Sequence, residues 1–178
     1  MAVLAALAAA TWLYGRAPTV PVRAAFRDSS QPLGYYLRGA RILGTDSEGR
    51  IAYRILAEQL EELPGQDVLE LDGVRVAYEP SGTTPWSISA NRASAPKDAS
   101  QLDLKGSVEL RSLPADGGEQ TIIATEALRF FPDTSNAESA EPVEIRVGDW
   151  HVDAVGLRTQ LKGNTVELES NVHGKFAP

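Results

Sequence analysis

The residues best suited to chemistry are few. In Gly148-Asp149-Trp150-His151-Val152-Asp153, the side chains of Asp149, His151 and Asp153 share one parity, so on a strand they would share one face. An imidazole between two carboxylates could serve acid–base work or begin a metal site. A metal site also needs ligands converging from elsewhere, and His173, the other histidine, sits in no recognisable motif. The plainer expectation is a solvated polar face opposite Trp150, Val152 and Ala154. Glu58, Glu61, Glu62, Glu70 and Asp72 supply carboxylates, but no spacing singles out an acid–base pair. Arg38, Arg41, Arg50 and Arg54 crowd a short stretch, where they could meet phosphates or simply offset nearby acids. No G-x-S-x-G, P-loop or H-E-x-x-H is present. With zero Cys, disulfides, thiolate nucleophiles and Cys-based zinc sites are excluded. We therefore assign no catalytic residue, no metal ligand and no cofactor, and expect a protein that is not an enzyme.

The elements that would carry these side chains are strands. In residues 101–113, QLDLKGSVELRSL, the apolar Leu102, Leu104, Val108 and Leu110 share one parity with Gly106. Asp103, Lys105, Ser107, Glu109 and Arg111 share the other. This period of two predicts a strand with one dry face. Val74, Val76 and Tyr78 repeat the pattern after Asp72-Gly73, which reads as a tight turn or a bulge. Trp86, Ile88 and Ala90 alternate in the same way, as do residues 143–147. Trp150, Val152, Ala154 and Gly156 continue the pattern, and residues 157–161 and 166–172 flank a turn at Lys162-Gly163-Asn164. Residues 33–43 and 51–57 read as a hairpin around Thr45-Asp46-Ser47-Glu48-Gly49, although the first arm alternates poorly. Residues 93–100 read as a turn region and 133–142 as an acidic loop. Residues 54–63, RILAEQLEEL, place Leu56, Leu60 and Leu63 at helical spacing, so local propensity alone predicts a helix.

About ten short strands with no βαβ alternation predict one all-β, mostly antiparallel domain whose end strands could be exposed edges. A chain of 178 residues, 43% hydrophobic and 23% charged, suffices for one such domain. The net charge of −7 argues against nucleic acid as a partner, because phosphate binding depends on Lys and Arg. Residues 1–14, MAVLAALAAATWLY, carry no charge. A membrane anchor, a cleaved signal peptide and a buried N-terminal helix are all compatible with them. Pro18, Pro21 and Pro32 then mark an extended linker.

In order, these features resemble the LptC family of the lipopolysaccharide export system. The resemblance begins with the apolar N-terminus and its Pro-bearing linker and continues through Gly34-Tyr35-Tyr36-Leu37-Arg38-Gly39-Ala40. It takes in Asp46-Ser47-Glu48-Gly49 with residues 51–58, Pro85-Trp86-Ser87-Ile88-Ser89-Ala90, and Leu104-Lys105-Gly106-Ser107-Val108. The passage from Thr125-Glu126-Ala127-Leu128 to Phe131-Pro132 follows, then Leu168-Glu169-Ser170-Asn171-Val172-His173-Gly174-Lys175-Phe176. Each motif is short; together, in order, they span nearly the whole chain.

The resemblance implies an open, twisted β-jelly roll behind one N-terminal apolar helix. Residues 1–15 would be a single-pass inner-membrane anchor, 16–32 a linker and 33–178 a periplasmic domain. It turns residues 53–58 from helix to strand. Lipopolysaccharide would come from the LptB/LptF/LptG ABC transporter and pass to the periplasmic LptA by edge-strand addition at the C-terminal end. Val74, Val76, Tyr78, Ile88, Leu102, Leu104, Val108 and Leu110 would line the lipid path. Gly156, Val172, Gly174 and Phe176 would form the partner edge, Gly156 resembling a family glycine on a late strand. Two alternatives remain. One is a soluble periplasmic LptA-like lipid-binding β-protein, which differs only in the fate of the N-terminal run. The other is a secreted β-sandwich enzyme or sugar binder using Asp149, His151 and Asp153.

Overall fold

A computed structural model describes residues 34–46, 48–62, 65–79, 84–114 and 117–176. The expected N-terminal helix and linker lie outside these residues. Among the described residues, no helix is long and apolar enough to cross a membrane.

Nine strands follow in chain order: β1 Tyr36–Thr45, β2 Ile51–Glu62, β3 Val68–Tyr78, β4 Trp86–Pro96, β5 Leu102–Ser112, β6 Thr121–Phe131, β7 Asn136–Val147, β8 Trp150–Gln160 and β9 Thr165–Phe176. Each pairs antiparallel with the next, so sequence order is also spatial order in one open, jelly-roll-like sheet. Among the described residues, β1 and β9 each lack an outer neighbour.

A crease runs across the sheet. Side chains on a regular strand alternate faces, so the buried set changes parity only where the pleat is interrupted. In β3, Leu69 and Leu71 are buried, then Val74, Val76 and Tyr78. In β4, Trp86, Ile88 and Ala90 give way to Ala93 and Ala95, and in β6, Ile123 and Thr125 give way to Leu128 and Phe130. The interruptions line up from strand to strand. The pairing register shifts between Ser89 and Arg92, Lys105 and Val108, Thr125 and Arg129, Ser139 and Pro142, and Asp153 and Val155. Gly73 at φ +60°, Gly106 at +80° and Gly156 at +83° lie on this line, in the left-handed region that glycine tolerates best.

The crease lets a single sheet cover its own apolar face. The Tyr78 ring meets the Phe130 ring edge-on, centroids 5.7 Å apart, although β3 and β6 are not neighbours in the sheet. The Tyr78 and Ser135 hydroxyls are hydrogen-bonded, and Trp86 Nε1 donates to Asn164 Oδ1 at 3.2 Å. The end of β3 and the start of β4 therefore meet the turns that follow β6 and β8. Between the layers, Ile88, Leu102, Leu110, Ile123, Phe130, Leu157 and Leu161 are fully buried. Each large side chain so buried contributes about 1.5–3 kcal/mol.

Three local expectations are corrected. The helical spacing in residues 54–63 gives way to β2. There Ile55, Ala57 and Leu60 face the core while Leu56 is exposed, and β1 and β3 supply hydrogen-bond partners on both sides. Local helix propensity amounts to a few tenths of a kcal/mol per residue, which such pairing overrides. The expected acidic loop at 133–142 is mostly β7, which begins at Asn136, and the expected turn at 93–100 is β4 as far as Pro96. Both carry small inward side chains, Ala137, Ser139, Ala93 and Ala95, so their alternation is faint in sequence. The poor alternation of the first arm has a cause as well. Leu37 pairs with Leu60 and Ala40 with Ala57, and Gly39 at φ +63° switches the parity between them.

Candidate functional site: the inner face and the two open edges

All eight side chains expected on the dry face are there. Val74, Val76, Tyr78, Ile88, Leu102, Leu104, Val108 and Leu110 are buried in one apolar cluster drawn from β3, β4 and β5. Ile55 and Leu60 join them from β2, Leu69 and Leu71 from the first half of β3, and Ile123 and Leu128 from β6. These additions escaped the sequence reading because the crease splits their strands into short segments of opposite parity. The left-handed glycines are the signal that could have revealed it.

The inner face does not stay covered to its ends. Trp150 is on the same parity as Val152 and Ala154, and it lies directly opposite Phe176 in the β8–β9 register. Their rings are 5.0 Å apart, yet Trp150 is 56% and Phe176 54% exposed. Val172 on β9 and Leu37 on β1 are also exposed, so large apolar side chains stand uncovered on both edge strands.

Of the expected partner-edge residues, Val172, Gly174 and Phe176 lie on β9. Gly156 lies one strand further in, on β8. A Cβ at Gly156 would stand 2.6 Å from Glu169 Oε2 and 2.9 Å from Glu169 Cβ. A side chain there would therefore reach the edge strand through Glu169.

The outer face is charged and organised in a row. Arg129 Nε donates to Asp103 Oδ1 at 2.8 Å, and Arg129 Nη1 lies 3.7 Å from Glu138. Arg158 lies 3.8 Å from Glu138 and 3.5 Å from Glu169. A cavity of about 400 Å³ runs beside this row, lined in part by Asp103, Lys105, Arg129, Glu138, Arg158 and Glu169.

The side chains first considered for chemistry are dispersed. His151 Nε2 and Asp153 Oδ1 are 3.2 Å apart on an open face of β8, and Asp149 lies in the preceding turn. Among the described residues, no three His, Asp or Glu side chains converge as metal ligands. The arginines are also separated. Arg50 pairs with Asp46 and Glu48 at 3.0 Å, Arg54 pairs with Glu79 at 2.6 Å, and Arg38 lies over the Tyr36 ring. The Asp46 carboxylate accepts the Glu48 and Arg50 backbone N–H groups, both at 2.9 Å. The Arg50 N–H bond foremost, with help from the guanidinium, holds this carboxyl below the usual aspartate value. Glu62 is held by Lys97 at 2.7 Å, and that hydrogen bond raises the lysine above its ordinary value. Burial pushes the half-buried Tyr53 phenol up, helped by Asp133 and Asp98. What remains is an apolar interior closed along the middle of the sheet and open at its edges, with two strand edges available for pairing among the described residues.

The lipopolysaccharide-assembly, LptC-related family profile matches residues 1–177. No curated protein matches the sequence. Among solved structures, the chain is similar to LptH of Pseudomonas aeruginosa, described as the LptA-homologous periplasmic component of the lipopolysaccharide transport device. The match has 10% identity and a TM-score of 0.51, and it covers 82% of this chain and 96% of that one. At that identity the likeness concerns the fold.

Proposed function

The chain belongs to the LptC-related family of lipopolysaccharide-assembly proteins, and from that premise we propose that its creased sheet carries the acyl chains of lipopolysaccharide along the inner face. The protein works in lipopolysaccharide transport, within a family of transport proteins rather than enzymes, and we assign no catalytic role. One observation supports the path above all. The dry face that is fully covered at Leu102 and Leu110 continues, uncovered, to Trp150, Val172 and Phe176. Acyl chains would part the two layers, displacing contacts among Val74, Leu104 and Val108, and leave by this uncovered end. The domain and the lipid are both negatively charged, so affinity comes from apolar burial, about 0.8 kcal/mol per buried CH₂.

The finer assignments are proposals of the same reading. Residues 1–15 anchor the chain in the inner membrane, 16–32 form the linker, and 33–178 form the periplasmic domain. The LptB/LptF/LptG transporter supplies the lipid and the energy. LptA receives the lipid by adding a strand to β9, along Val172, Gly174 and Phe176, with Gly156 acting from β8.

The test is photo-crosslinking in living cells, with the reactive residue placed at Val74, Leu104, Val108 or Phe176. Lipopolysaccharide adducts at the interior positions are expected. Their absence at all three, with normal expression, overturns the lipid path. A second reading, a soluble LptA-like carrier, draws support from the LptH likeness. A mature N-terminus at or beyond Arg16 would favour it over the anchored form.

A further inference from the structure

We propose that the outer-face charge row selects the strand that adds to β9, requiring a lysine or arginine opposite Glu169 and Glu167. This rests on the reading that a bridge protein of the LptA type pairs with that edge, and it names the chemistry by which the edge chooses its partner. The row runs Asp103, Arg129, Glu138, Arg158, Glu169, one residue from each of β5 to β9, and its sign alternates at every step. Asp103 and Arg129, Arg129 and Glu138, and Glu138 and Arg158 are direct register partners. Arg129, Glu138 and Arg158 thus each stand between opposite charges.

The pattern breaks at the edge. Glu167 is the register partner of Arg158, and Glu169 reaches the same guanidinium at 3.5 Å. Glu169 pairs with this cation, Glu167 stands opposite it without an ion pair among the described residues, and among those residues nothing lies beyond them. A cation on the next strand would continue the alternation, whereas an acidic strand would meet like charge directly opposite. Pairing of β9 with a second β9 is disfavoured in any register that sets these glutamates against each other. The opposite edge differs in sign: Arg38 and Arg41 on β1 make no ion pair among the described residues. Charge complementarity calls for a strand with a basic side chain facing Glu167 and Glu169, and a bridge protein whose first strand carries one is the occupant proposed. The row also fixes register. Sliding the incoming strand by one residue turns its basic side chain to the other face.

The experiment uses the full chain in detergent and the purified LptA-family protein of the same bacterium, with affinity measured by biolayer interferometry at low and high salt. The double substitution Glu167→Lys/Glu169→Lys should weaken binding about tenfold, a size reached when paired charges become like charges. Glu167→Gln/Glu169→Gln should weaken it about threefold, and the wild-type affinity should fall as salt rises. Arg75→Gln, on β3, should change nothing. Reversing the bridge protein's facing basic residue to Glu should restore binding to the double-lysine variant, a rescue that a purely structural role for Glu169 would not produce. Melting temperature, read alongside, confirms that both variants fold. Wild-type binding with undiminished affinity in both folded variants overturns the charge rule alone. No binding by the wild type overturns the partner reading, and this rule with it. Self-association of the chain that is abolished by Glu169→Lys would make a second copy the occupant and overturn the assignment to a bridge protein.

Discussion

The middle of the sheet and its last two strands carry the same alternation and meet different fates. Val108 and Leu110 on β5 are 1% and 0% exposed, whereas Val172 and Phe176 on β9 are 53% and 54% exposed. Both pairs occupy alternate positions on strands with a charged opposite face. The central strands have neighbours on both sides and the other half of the folded sheet above them; among the described residues β9 has a neighbour on one side only. An alternating pattern therefore records which face a strand presents inward, and neighbours decide whether that face is dry. The large apolar side chains left uncovered at this edge are the ones that the proposed lipid path and partner strand would cover.

The comparison breaks most sharply in the core. Phe130→Ala should cost about 3–5 kcal/mol and Leu104→Ala about 2–5 kcal/mol in urea denaturation, because each leaves a cavity that the two-layer packing cannot collapse. A loss below about 1 kcal/mol at both would show that the layers are not tightly closed.

Gly156→Ala should come next, at about 1–3 kcal/mol. The backbone there is at φ +83°, and the new Cβ displaces Glu169 on the edge strand. Hydrogen exchange should localise the loosening to β8 and β9; uniform loosening of all strands would count against an edge-specific effect.

Val172→Ala and Phe176→Ala should each change stability by no more than about 0.5 kcal/mol, as is usual for exposed side chains. They should nonetheless reduce crosslinking of lipopolysaccharide or bridge protein at β9. Large stability losses at both would move the edge into the core and remove the contrast.

The smallest effect concerns pH. The Asp46 carboxyl titrates below its ordinary value of about 3.9 in the folded hairpin. Its stabilising contribution is therefore fully present above that ordinary value and is lost as pH falls through the folded one. The protection of the Glu48 and Arg50 amides against exchange, relative to the intrinsic rate at each pH down to about 2.5, should fall below about pH 4. Asp46→Asn should remove most of this acid dependence, and an unchanged profile would assign it to other groups.

Much of the fold was legible because strand alternation is a local property. Leu102, Leu104, Val108 and Leu110 declared their common face in sequence, and the turns at Asp46–Gly49 and Lys162–Asn164 were marked by residues suited to tight turns. The strands around Ala93, Ala95, Ala137 and Ser139 were not legible, because small side chains give a weak hydrophobic signal. The β2 strand was masked by helix formers, since its conformation depends on hydrogen-bond partners contributed by β1 and β3. For the candidate site, the buried positions of the central strands could be read, but the uncovered status of Trp150 and Phe176 could not. Neither could the five-strand charge row, because Asp103 and Glu169 are linked only through register.

The sequence by itself determined that this is an all-β chain with one dry and one charged face, without cysteine chemistry. Tertiary structure decided where the sheet creases, which halves of the strands cover one another, and where the cover stops. The physical reason lies in the range of the interactions. Side-chain alternation follows from a strand's own pleat, whereas burial and cross-strand charge pairing require neighbours that only the folded sheet brings into place.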